Sequence, residues 1–153
     1  MLSLRKNLFE GDGSLTQPFG NDHFEVDANG NKINPYAIYE LLGHNGIDYG
    51  IITGTKLYSA INGTVTEVAY DRDGYGKYIK IENDECGILY AHMKTLSPIE
   101  VGTKIVAGQE IGLSGNTGNS TGPHLHFAVF PKPRDRGNGY LGYIDPLGSE
   151  VGS

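Results

Sequence analysis

Residues 56–82, KLYSAINGTVTEVAYDRDGYGKYIKIE, decide the fold. The runs TVTEVAY (64–70) and KYIKIE (77–82) are rich in β-branched and aromatic residues, alternate apolar with polar positions, and flank a DGYG turn. That pattern predicts two antiparallel strands joined as a hairpin. Asn62-Gly63, between KLYSAI and TVTEVAY, predicts a second hairpin just upstream. The same reading extends forward through GILYAHM (87–93), KIVAGQEIGL (104–113) and HLHFAVF (124–130), each a further short strand or hairpin, into a turn-rich tail, RDRGNGYLGYIDPLG (134–148). Backward, to about Gly43, turn signals such as Asp27–Asn31 and an apolar run, Tyr36 to Leu42, predict a long loop with one helical turn. The segment Gly54-Thr55-Lys56-Leu57 returns as Gly102-Thr103-Lys104-Ile105, which suggests a duplicated β unit.

The bulk properties agree with a mainly β chain. Its 153 residues suit a single domain, 1–153. There are 23 glycines, 10 tyrosines and no tryptophan, a composition of turns and short strands. A net charge of −6 and a pI near 5.2 argue against nucleic acid, whose phosphates favour a basic stripe. Cys86 is the single cysteine, which excludes an internal disulfide and a cysteine-rich metal site. No run approaches the length of a membrane span, and the opening MLSLRKNLFEGDG lacks the apolar centre of a signal peptide.

Chemistry concentrates in the histidines. His124 and His126 flank Leu125 in PHLHF; on a strand they face one side while Leu125 and Phe127 face the other. His44 and Asp48 lie in GHNGIDYG, where the glycines oppose a helix and favour an extended or turning backbone. His92 ends the apolar run LYAH. Each element has a plain structural reading as a strand or turn residue. Two imidazoles and one carboxylate with an open fourth position are nevertheless the ligand set of a catalytic zinc, and two further histidines supply a proton acceptor and a donor.

HNGID, YAH and GNTGNSTGPHLHF, in that order, resemble the signature of the lysostaphin-type, or LytM-like, zinc endopeptidases, from about Leu15 to Pro146. The resemblance implies an antiparallel β-sheet fold of the duplicated hybrid motif type with a loop-walled groove. It implies one zinc ion held by His44, Asp48 and His126, with His124 as general base and His92 assisting at the tetrahedral intermediate. The implied substrate is a peptide of bacterial peptidoglycan. Tyr36, Tyr39 and Tyr90 are candidates to line the groove, and Gly112, Gly115, Gly118 and Gly122 to admit an extended peptide. Ala128 stands where many relatives carry a larger polar residue, a change expected at the groove wall. His23 matches no motif and reads as a surface loop residue.

Action at the cell wall without an export signal fits either a module of a larger secreted protein or a phage lysin or tail component; the lead-in LTQPFG (15–20) resembles phage-associated members. Three other readings are weighed beside this one. A non-catalytic relative would lack ligands, whereas all five positions are filled. A cupin-like iron site would want a glutamate soon after His-x-His, and FAVFPKP has none. The segment VGTKIVAGQEIGLSG resembles carrier-domain hairpins, but nothing presents a lysine for modification.

Overall fold

In the computed structural model the described residues are 3–5, 7–20, 25–26, 28–33, 36, 41, 44–148 and 150–152. Their strands are β1 (Ser3–Arg5), β2 (Ser14–Gln17), β3 (Glu25–Val26), β4 (Lys32–Ile33), β5 (Ile47–Gly50), β6 (Lys56–Tyr58), β7 (Gly63–Asp71), β8 (Gly76–Glu82), β9 (Cys86–Met93), β10 (Lys104–Ile105), β11 (Glu110–Leu113), β12 (Leu125–Pro131) and β13 (Glu150–Gly152). Seven of them form one antiparallel sheet in the order β10-β7-β8-β9-β12-β5-β2. No helix among the described residues is long and apolar enough to cross a membrane.

The hairpin across DGYG forms as the sequence predicts, with Asp71 opposite Gly76. The one predicted at Asn62-Gly63 does not. β6 pairs with β11 and β7 with β10, so each strand of the first unit meets a strand of the second. The repeated Gly-Thr-Lys segment accounts for the exchange. At both copies glycine has positive φ, 91° at Gly54 and 96° at Gly102. In both, the following threonine N–H bonds back to a carbonyl three residues earlier, Ile52 and Glu100. The two equivalent turns launch strands that cross between units. Asn62 instead ties the units together, its Oδ1 accepting from Ala107 N.

The amino-terminal stretch is not wholly loop. Ser14–Gln17 joins the sheet edge against β5, and its mostly exposed residues explain why no hydrophobic signal marked it. The helical turn predicted over 36–42 lies, apart from Tyr36 and Leu41, outside the described residues, as do Tyr39 and His23.

β9 and β12 are buried along almost their whole length because apolar layers cover both faces. On β12, Leu125, Phe127 and Val129 enter the larger core beside Ile88 and Tyr90 of β9. Ala128 and Phe130 enter a smaller one with Leu89, Ala91 and Tyr143. His126 shares the second face by strand alternation. Ala128 is therefore fully buried beneath the site instead of forming a groove wall.

Candidate metal centre

Cross-strand pairing puts the first two site residues together. His126 on β12 lies directly opposite Asp48 on β5 and Ala91 on β9, and directly opposed residues share a face. His44 precedes β5 and folds back over the same face because Gly46 lets the backbone pass beneath His126. A Cβ on Gly46 would sit 2.4 Å from the Phe127 carbonyl oxygen and 2.8 Å from His126 Cε1.

Three donor atoms converge as a result. His44 Nε2 is 3.0 Å from His126 Nδ1 and 3.2 Å from Asp48 Oδ1, and His126 Nδ1 is 3.0 Å from the same oxygen. All three residues are buried. Zinc ligands at about 2.0–2.1 Å in tetrahedral array stand roughly 3.3 Å apart, so the triangle fits such an ion, and its imidazole and carboxylate donors fit the chemistry. The His44 ring is oriented from behind, its Nδ1 lying 3.0 Å from the Pro18 carbonyl oxygen. With the proton of a neutral imidazole on Nδ1 for that bond, His44 would present its Nε2 lone pair to a metal ion; without the ion, a proton on Nε2 lets it donate to Asp48. His126 Nε2, beside the Gly46 backbone, is buried and has no hydrogen-bond partner among the described residues.

Charge follows from this packing. Burial acts to raise the Asp48 carboxyl, but hydrogen bonds from His126 and His44 prevail and hold it well below the ordinary carboxylate range. Burial lowers the His126 imidazole despite the neighbouring Asp48.

His124 and His92 stand over the triangle's open side, with ring centroids 4.6 Å apart. His124 Nδ1 lies 2.8 Å from the Gly122 carbonyl oxygen and 3.1 Å from Ser120 Oγ, leaving Nε2 3.7 Å from Asp48 Oδ2. His92 Nδ1 lies 2.6 Å from the Thr117 carbonyl oxygen, and burial pushes its imidazole down to about 4. His92 reaches this face through a bulge. Between Met93 and Tyr90 on β9 there is one residue more than between their partners, Lys77 and Ile79 on β8. His92 carries the irregularity, with φ of 58°, and strain of this kind persists where the surroundings over-determine it.

The five residues line a cleft of about 820 Å³, together with Tyr36, Asn45, Tyr75 and Gly122. Tyr36 accepts a hydrogen bond from Gln17 and packs 6.0 Å from the His44 ring. Tyr90 does not reach the cleft. It lies on the opposite face of β9, fully buried, its hydroxyl donating to the Tyr58 carbonyl and accepting from Ala60 N. Alternation puts Tyr90 in the main core, and only the bulge separates His92 from the same fate. Of the four glycines proposed to admit substrate, Gly112, Gly115 and Gly118 abut Met93, Lys94 and Gly76, so their smallness serves the chain's own packing; Gly122 faces open space. Sequence reasoning gave no role to Asn45, which it quoted within HNGID, and missed Tyr75, which carries no motif signal. It quoted Ser120 within the STGPH motif without giving it a role.

The sequence model of Peptidase family M23 matches residues 42–138. A peptidoglycan DD-endopeptidase, ShyA of Vibrio cholerae, is 36% identical over 92 residues, 60% of this chain and 21% of that protein. The chain spans between 18% and 27% of the length of such curated relatives. Among solved structures, the catalytic domain of lysostaphin from Staphylococcus simulans superposes with a TM-score of 0.68 at 27% identity, covering 88% of this chain and 90% of that one. A mutant catalytic domain of the prophage-encoded M23 protein EnpA from Enterococcus faecalis gives 0.67 at 26%, covering 91% and 92%. With a family match over the whole stretch from the first candidate ligand to the last, and a fold shared with lysostaphin, the chain belongs to peptidase family M23.

Proposed function

We propose that the chain is a zinc metalloendopeptidase that hydrolyses peptide bonds in the cross-links or cross-bridges of bacterial peptidoglycan. The observation that carries this reading is the convergence of His44 Nε2, Asp48 Oδ1 and His126 Nδ1 within 3.0–3.2 Å beneath two further histidines in an open cleft. Relatives named as peptidoglycan DD-endopeptidases support the substrate. His44, Asp48 and His126 would hold one zinc ion, which when bound supplies a Lewis acid that acidifies water and polarises the scissile carbonyl.

The remaining steps belong to the chain. His124, with its proton fixed on Nδ1 by the Gly122 carbonyl, presents the Nε2 lone pair as general base and takes the proton of the attacking water there. His92 begins neutral, its proton likewise on Nδ1 toward Thr117, so its Nε2 starts as an acceptor. Its assistance is to share the proton that His124 has taken, and it becomes a donor to the oxyanion only when so charged. Tyr36 forms part of the cleft wall that receives the peptide. A phage lysin or tail component is the setting we favour, supported by the likeness to a prophage-encoded catalytic domain.

Zymography on purified cell walls tests the whole reading. Clearing is expected, EDTA should abolish it, and zinc should restore it. Undiminished clearing by His124→Ala would remove His124 as the base.

A further inference from the structure

Tyr75 sits in the DGYG turn and touches two of the five site residues and the sequence neighbour of a third. Its hydroxyl accepts a hydrogen bond from Asn45 Nδ2 at 2.8 Å, next in sequence to His44. Its main-chain carbonyl accepts the N–H of His92 at 2.7 Å. Its ring packs 5.6 Å, centroid to centroid, from that of His126. Among the described tyrosines, Tyr36 packs on His44 and Tyr90 faces the main core.

Tyr75 is itself held rigidly. Its N–H donates to Asp71 Oδ2 at 3.1 Å, its ring meets Tyr78 edge-on at 5.7 Å, and Gly76 beside it is clasped by Thr117. Behind it stands Tyr143, whose hydroxyl is hydrogen-bonded to that of Tyr75 and over whose ring the Arg134 guanidinium lies at 4.9 Å. A fixed phenol thus faces the residue that follows His44. Asn45 is only 4% exposed, so its amide has no ready exchange with water, and its bond to Tyr75 restrains the backbone that carries His44.

We propose that Tyr75 is a positioning residue for the metal triangle, its hydroxyl acting through Asn45 to hold His44 in ligating register. This rests on the reading of His44, Asp48 and His126 as zinc ligands. The carbonyl contact to His92 survives any substitution and the ring contact to His126 survives phenylalanine, so Tyr75→Phe isolates the hydroxyl. Groups that orient a ligand from outside the metal's own shell typically govern about 10–100-fold in affinity.

The test is a cycle of Tyr75→Phe, Asn45→Ala and the double variant, with zinc affinity of the folded apoprotein read by competition against a chromophoric chelator. Each single variant should bind zinc about 10–100-fold more weakly, and the double variant no more weakly than the worse single, because the Tyr75–Asn45 bond is lost in both, while the bond of the Tyr75 hydroxyl to Tyr143 does not reach the loop of His44. Wild-type affinity in Tyr75→Phe, or losses that multiply in the double variant, would overturn the proposal. A role confined to stability lowers the melting temperature and leaves affinity unchanged. His44→Ala serves as the control: wild-type zinc binding in that variant refutes the metal site itself, whereas its loss beside an unaffected Tyr75→Phe refutes only the role of Tyr75.

Discussion

Replacing Gly46 with alanine should damage the site without replacing any of its five side chains. The added Cβ would lie 2.4 Å from the Phe127 carbonyl oxygen and 2.8 and 2.9 Å from His126 Cε1 and Nε2. Comfortable contact needs about 3.5 Å or more, so β5 and β12 must separate locally by roughly 1 Å. The next residue, Ile47, is paired with Phe127, and Asp48 with His126, so the movement falls on the pairs that close the triangle. Overpacking of this kind costs about 1–3 kcal/mol. At about 2–4 °C per kcal/mol for a chain of this size, melting should fall by roughly 2–12 °C. The assay is thermal unfolding with and without zinc, beside Gly122→Ala, where no atom lies within 4 Å and stability should hold or rise slightly. If Gly46→Ala melted with the wild type and gained as much from zinc, the account of how His44 reaches His126 would be wrong.

Tyr90→Phe should cost about 1–3 kcal/mol by leaving Ala60 N buried and unpaired, measured by urea unfolding, while KM for wall peptides stays unchanged; a raised KM would return Tyr90 to the cleft. His92→Asn should fold normally, since asparagine tolerates the left-handed backbone at 58°, yet lose about 10²-fold or more in turnover. His92→Val should in addition lose about 1–2 kcal/mol of stability, and equal melting of the two variants would count against strain at this bulge. The zinc-free chain should lose stability in acid. Burial holds the His92 imidazole at about 4 and the His126 imidazole below its ordinary 6.5, so below that pH the unfolded chain binds the extra protons. Stability should be level above about 6.5 and fall toward 4. Asp48, held low by its histidine partners against the effect of burial, extends the loss below 3.8. A urea midpoint as high at pH 4.5 as at pH 7.5 would contradict these assignments.

What the sequence made legible follows the range of the interactions. The β7–β8 hairpin was readable because its turn and alternation are local. The three candidate ligands could be named as a set because their motifs are short, although 78 residues separate Asp48 from His126. Pairing of β6 with β11 was not, since Asn62-Gly63 has the same local chemistry whether its strands pair with each other or with a repeat. β2 escaped notice because its exposed side chains give no hydrophobic signal and its order comes from β5. Tyr90 lies two residues before His92, so regular alternation would give both one face, and nothing in LYAHM announces the bulge that separates them. Tyr75 and Asn45 meet only in three dimensions.

The position of β12 has a bearing on biosynthesis. This strand, among the last in the chain, lies between β9 and β5, so the sheet is two separate blocks until residues 125–131 arrive. At about 5–20 residues per second, the ribosome needs roughly 4–16 s to travel from Asp48 to His126. Within that interval β5, and β9 once residues 86–93 are made, each present an unpaired edge, the kind of surface on which nascent chains associate. The final strand both seals those edges and delivers His126, so no emerging fragment can carry the assembled triangle before the sheet is whole.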